Sequence, residues 1–234
     1  MTMSDLSAGA TLDLWQAAEA LPPVERALVL ASTVDETTVE ELARLPLGRR
    51  DARILRLLEG QALEATATCP ACGEQAQFAV DAEALLARAE EAVEPAPVEL
   101  DGLVLAWRPP DSDDVSAAAA AGDLEGAERV LLGRCVSGVA DGALPAEARA
   151  AVADAMARAD PLAEVLVDVG CPACGHDFVS ELDVSTFAWA ELRRRARALL
   201  EEVDVLARAY GWTEAEVLAL DERRRAAYLE LAER

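Results

Sequence analysis

Four of the five cysteines in this 234-residue chain fall in two copies of one pentapeptide, Cys69-Pro70-Ala71-Cys72-Gly73 and Cys171-Pro172-Ala173-Cys174-Gly175. A Cys-x-x-Cys turn presents two thiolates to one point, and two such turns supply the four soft ligands of a tetrahedral structural zinc site. The glycine after each second cysteine permits a positive φ, which bends the backbone so that amides face the sulfurs. The pattern therefore predicts one structural Zn²⁺ on Cys69, Cys72, Cys171 and Cys174. The interval of 98 residues between Cys72 and Cys171 is long, but loop-closure entropy grows only with the logarithm of loop length. Three other uses of these residues stand beside zinc. A thioredoxin-like redox pair would place its first cysteine at a helix N-terminus, a disulfide between the knuckles would suit an exported protein, and metal-free thiols would simply fill a core.

Other reactive side chains are sparse. The sole histidine, His176, lies two residues past Cys174. It can replace a ligand, but four cysteines already fill a zinc shell, so it reads as a neighbouring hydrogen-bond donor or an exposed ring. Cys135 follows Val130-Leu131-Leu132-Gly133-Arg134, an apolar helical setting that predicts a buried, inert thiol. Catalytic zinc keeps an open coordination position and usually a histidine or carboxylate ligand. The chain has no Gly-x-Ser-x-Gly, no phosphate-binding glycine loop and no metalloprotease helix motif. The expectation is a protein that is not an enzyme and has no small-molecule substrate.

The flanking residues show what must hold the knuckles. Alternating apolar positions in Leu63–Thr68 and at Ala76, Phe78 and Val80 predict a strand on each side of the first knuckle. Val165, Val167 and Val169 before the second knuckle, with Phe178, Leu182 and Val184 after it, predict the same unit again. The first sixty residues read as helices, with Leu12, Trp15, Ala18 and Leu21 at helical spacing before Pro22-Pro23. Thr37–Leu45 reads as a further short helix, Pro46-Leu47-Gly48 as a break, and Arg49–Leu58 as the next helix. Between the knuckles, Asp81 caps a helix to Ala89, and Asp101-Gly102 turns a hairpin between Val98–Leu100 and Leu103–Trp107. Two short helices broken near Gly122 and a third over Pro145–Ala159 complete that interval. Ser185 is the expected cap of a long helix to Tyr210, with Leu192, Leu199, Val203, Leu206 and Tyr210 on its buried stripe. Thr213 and Asp221 cap two final helices. The fold class is α+β and predominantly helical: zinc-ribbon-like β-hairpins, a long helical insertion and C-terminal helices. Its segments are 1–60, 61–184 and 185–234, read as one compact unit.

Composition narrows the surroundings. A formal net charge of −23 repels phosphate backbones and anionic lipid, so neither nucleic acid nor a membrane surface is an expected partner. Arg193, Arg194, Arg195 and Arg197 lie among acids at helical spacing, as a solvated, ion-paired face would. Met1–Ala10 lacks a secretory pattern and no apolar run is long enough to span a bilayer, which predicts a cytoplasmic protein with reduced thiols.

Two segments resemble a known family. Leu45-Pro46-Leu47-Gly48-Arg49-Arg50-Asp51, followed by Ile54-Leu55, is similar to the Leu-Pro-x-Gly-x-Arg-Asp entry of the phage T4-type baseplate protein family. Cys171–His176 leading to Phe187–Glu191, then Leu199–Val203, Ala207–Trp212 and Arg223–Leu229, resembles the family's C-terminal part. Members occur with contractile phage tails and with extracellular contractile injection systems of bacteria. The resemblance implies a baseplate component or assembly factor whose partners are other baseplate or hub proteins, in the cytoplasm or incorporated into a particle. It does not imply metal, because some relatives lack the knuckles. Trp189, Tyr210, Trp212 and Tyr228 are the candidate partner-binding residues, since aromatics anchor interfaces; the same rings can instead pack the long helix against the last two. The alternative is a zinc-ribbon adaptor acting in transcription or nucleic-acid binding.

Overall fold

The computed structural model describes residues 2–60, 63–138 and 144–232, which fold into an α+β arrangement of helices and small antiparallel sheets. Four helices open the chain: α1 (Ala8–Glu19), α2 (Pro23–Ser32), α3 (Val39–Ala43) and α4 (Leu47–Leu57). Their starts have local causes. Ser7 Oγ accepts the Ala10 N–H, Pro23 occupies the first turn of α2, and Thr38 and Glu41 exchange side-chain to backbone bonds at α3. α4 begins before the expected Arg49, and Gly48 lies inside it rather than breaking it. A Cβ on Gly48 would come within 2.3 Å of Asp160 Oδ1 and 2.8 Å of Ala163 N, so the glycine is there for close approach.

β1 (Leu63–Thr68) and β2 (Gln75–Val80) form the first knuckle hairpin, running from Leu63 opposite Val80 to Thr68 opposite Gln75. α5 (Ala82–Glu90) follows, its first turn capped by Asp81 through a 2.9 Å bond from the Glu83 N–H. The Asp101-Gly102 turn joins β3 (Val98–Leu100) to β4 (Leu103–Trp107). After α6 (Ser112–Ala119) and α7 (Leu124–Cys135), the two-residue strand β5 (Val136–Ser137) adds to β4, a pairing not foreseen in the sequence. α8 (Ala146–Ala159) leads to the second knuckle hairpin, β6 (Leu166–Gly170) and β7 (Asp177–Glu181). That hairpin ends earlier than expected. Leu182 lies beyond β7, and Val184 already begins α9 (Val184–Tyr210). Asp183, not Ser185, is its N-cap: it accepts the Thr186 N–H and hydroxyl and also the Ser185 hydroxyl. α10 (Glu214–Leu218) and α11 (Glu222–Ala232) close the chain with Thr213 and Asp221 as caps.

The hairpins stand on one principal core. Leu30, Leu42, Ile54, Leu57 and Leu58 of the first helices meet Leu63, Leu162 and Val165 at the roots of both hairpins, and Ala188 and Leu192 of α9. A second, smaller core lies inside the insertion, where Leu105, Val136, Ala148 and Val152 meet beneath Trp107, Leu132 and Met156. No helix among the described residues is long and apolar enough to cross a membrane.

Candidate metal centre

Each knuckle is a turn closed by the same two backbone bonds. Gly73 N–H donates to Cys69 C=O and Gly175 N–H to Cys171 C=O, both at 2.9 Å. Cys69 N–H donates to Glu74 C=O and Cys171 N–H to His176 C=O, again at 2.9 Å. Gly73 and Gly175 take φ of 77° and 72°, the left-handed conformation that the sequence required of them. Rooting both hairpins in one core brings their tips together, with β2 against β6.

All four sulfurs lie within 4.8 Å of one another. Cys69 Sγ is 3.7 Å from Cys174 Sγ, and Cys72 Sγ is 3.7 Å from Cys171 Sγ. A tetrahedral ion with zinc–sulfur bonds of about 2.3 Å separates its ligands by about 3.8 Å, so this spacing suits one metal ion held by both knuckles. It is far too long for a disulfide, which joins sulfurs at about 2.05 Å, and all five cysteines are free thiols. The first cysteine of each pair is buried and the second exposed. Strands, not helices, follow both knuckles. That geometry lacks the helix N-terminus on which a thioredoxin-like pair depends.

The electrostatics of the protein alone suit the group to a cation. The N–H groups of Cys174 and then Ala173 bring the Cys171 thiol down to about 7. The Glu74 N–H acts in the same direction on Cys72, but hydrogen bonding among the thiols, with Cys174 foremost, outweighs it and pushes Cys72 up to about 12. The His176 N–H favours the Cys174 thiolate too, yet that thiol also stays above its ordinary value. One thiolate forms readily and its crowded neighbours then resist ionisation. A soft divalent cation, supplying its own charge, removes that resistance.

His176 is exposed, and its ring stacks on Phe178 at 6.4 Å between centroids. It stands outside the four-sulfur cluster and contributes its backbone carbonyl and N–H to the knuckle. Cys135 is buried, as expected, but its surroundings are polar: its thiol donates to Asp114 Oδ2 at 3.4 Å. Burial first, and then the Asp114 carboxylate, push it up to about 12.

The four candidate contact aromatics separate. Trp189 is only 8% exposed, sits in the principal core and carries the Arg26 guanidinium 4.4 Å above its ring, so it does not belong to a contact surface. Tyr210, Trp212 and Tyr228 form one cluster, with centroid separations of 4.8, 5.7 and 4.8 Å. The Tyr210 hydroxyl donates to Tyr228 C=O at 3.3 Å. These rings pack the end of α9 against α11, and Tyr210 remains 38% exposed.

Buried polar residues formed a joint that sequence reasoning missed. Gly48 N–H donates to Asp160 Oδ2 at 2.8 Å, Arg50 Nε to Asp51 Oδ1 at 2.7 Å, and Arg50 Nη1 to Ser112 Oγ at 3.1 Å. The Leu45–Asp51 segment thereby fastens α4 to the start of α6 and the end of α8, with Leu47 N–H on Pro110 C=O as a further tie. Asp114, fully buried, receives Arg134 Nε at 2.7 Å, Arg108 Nη2 at 3.0 Å and the Asp111 N–H at 3.0 Å. Burial alone would raise its carboxyl, but these donors hold it well below the usual carboxylate range. The one available signal was the Asp111-x-x-Asp114 capping pattern. On the helix face, Arg194 and Arg195 both pair with Glu191. The chain matches no protein-family model, no curated protein and no solved structure.

Proposed function

We propose that the two knuckles bind one structural Zn²⁺ and that the chain is a non-enzymatic structural or assembly protein of a phage-like contractile tail or injection-system baseplate. The single observation that carries the metal reading is the spacing of the four sulfurs, within 4.8 Å of one another with cross-knuckle pairs at 3.7 Å. Cys69, Cys72, Cys171 and Cys174 hold the ion, and its bonds to thiolate contribute folding free energy rather than reactivity. Zinc, rather than another soft divalent ion, is favoured by the all-thiolate set closed by two hairpin turns. The closure fixes the two ends of the insertion to each other, in the manner of a split zinc ribbon.

The baseplate assignment rests on the resemblance of Leu45–Leu55 and of the segments between Cys171 and Leu229 to that family. The absence of a catalytic constellation in the sequence accords with a scaffold that works through its surfaces. The test is affinity purification of the tagged chain from cells that assemble the particle, together with deletion of its gene. The expected result is recovery of baseplate or hub proteins and loss of complete particles on deletion. Intact particles assembling without the chain would refute the assignment, as would salt-sensitive DNA recovered in place of particle proteins.

A further inference from the structure

Helix α4 has two faces. Arg50, Asp51, Ile54 and Leu57 point into the protein, whereas Arg49, Arg53 and Arg56, at spacings of four and three, share the opposite side. The latter side lines a surface cleft of about 480 Å³ whose other walls include Pro46, Val93 and Pro109. Val93 is 50% exposed, so the cleft has an accessible apolar anchor point. Arg53 is held in place by Asp35 and by Thr37 Oγ1 at 3.1 Å. Among the described residues, neither Arg49 nor Arg56 makes a salt bridge, although the chain carries 44 acidic side chains against 21 basic ones. Glu94 is the acid of the cleft lining.

We infer that this cleft is a docking site for an acidic, leucine-bearing peptide segment of a partner protein. Guanidinium forks bind carboxylates in pairs of parallel hydrogen bonds, which suits Arg49 and Arg56 to glutamate or aspartate. The prolines fix the wall backbone before binding, which lowers the ordering cost of association. A nucleic acid meets the same arginines, but it carries a charge on every nucleotide towards a surface of net charge −23, more repulsion than a peptide with a few carboxylates meets. Its backbone also offers no aliphatic side chain to Val93. No residue of either knuckle lines the cleft. The inference therefore stands or falls independently of the zinc reading.

The test is fluorescence anisotropy on the purified full chain. The probes are a labelled glutamate–leucine peptide, its glutamine–leucine counterpart and a short labelled single-stranded DNA. The expected result is binding of the glutamate peptide alone, weakened at least about tenfold in Arg49→Glu/Arg56→Glu and weakened again by added salt. The milder pair Arg49→Gln/Arg56→Gln, both at exposed helix positions, should weaken it in the same direction with an unchanged helical circular-dichroism spectrum. Equal binding of both peptides would overturn the inference. So would DNA binding as tight as the peptide's, unchanged affinity in both variants, or no binding of any probe.

Discussion

The principal core and the insertion are stabilised in different ways. Around Leu30, Leu42, Ile54, Leu57 and Leu192, fully buried side chains from the N-terminal helices and α9 pack into a continuous apolar interior. Among the described residues, the insertion's own apolar cluster buries Leu105, Val136, Ala148 and Val152, and the insertion adds a fully buried carboxylate, Asp114, under two arginines. A core of that size supplies little hydrophobic free energy. The insertion depends instead on its attachments: the α4 joint at Gly48 and Arg50, the Asp114 cluster, and the cysteines that bracket it. Apolar packing makes one region stable in itself, while polar ties and the proposed metal clasp make the other stable only in place.

The sharpest way to separate the two is to remove the metal. Chelation, or Cys171→Ser, should release the ion and lose up to about 10 kcal/mol of apparent binding free energy. Hydrogen exchange should then accelerate first in β1, β2, β6 and β7, with α9 around Leu192 losing protection last; simultaneous loss everywhere would erase the distinction. Next in size, Leu192→Ala should lower the unfolding free energy of the whole chain, read from urea unfolding, by about 3 to 4 kcal/mol. Leu105→Ala, equally buried but in the smaller core, should cost about 2 kcal/mol and show itself as local opening between β4 and α8. Equal, global effects would contradict the two-region account.

Asp114→Asn should destabilise the insertion by about 2 kcal/mol, less than a fully buried pair because Arg108 and Arg134 are each 45% exposed at the side chain. The pH dependence has opposite signs at the Asp114 cluster and at the α4 joint. Asp114 is held below its unfolded value, so its contribution is complete above about pH 4 and is lost as pH falls through the folded value. Asp51 and Asp160 are raised, by burial foremost. Their folded forms keep protons that the unfolded chain has released, so their contribution declines as pH rises above about 4. Acid titration followed by hydrogen exchange should open the insertion before the α4 joint. The smallest effect belongs to His176→Ala, expected to leave metal content unchanged and stability within about 0.5 kcal/mol.

Much of the site was legible because its determinants are local. A repeated pentapeptide between alternating strands announces the knuckles, and the caps Asp81, Thr213 and Asp221 and the Asp101-Gly102 turn act within a few residues of themselves. What escaped depends on distant chain. Gly48 looks like a helix breaker until Asp160, 112 residues away, is seen against it. Asp114, Arg50 and Asp51 carry charges that ordinarily mark the surface, and only their partners explain their burial. β5 is too short to show any period, and it exists because α7 delivers Val136 beside Trp107. Trp189 is open to either a contact or a packing role in the sequence, because aromatic identity alone does not say which side of α9 faces Arg26.

The central claim is that two distant hairpins share one zinc ion. Native mass spectrometry combined with X-ray absorption on the purified chain tests it directly. The account predicts one zinc per chain with four sulfur neighbours at about 2.3 Å. A metal-free chain carrying a disulfide within either knuckle, or a zinc ion with fewer than four sulfurs, would contradict it.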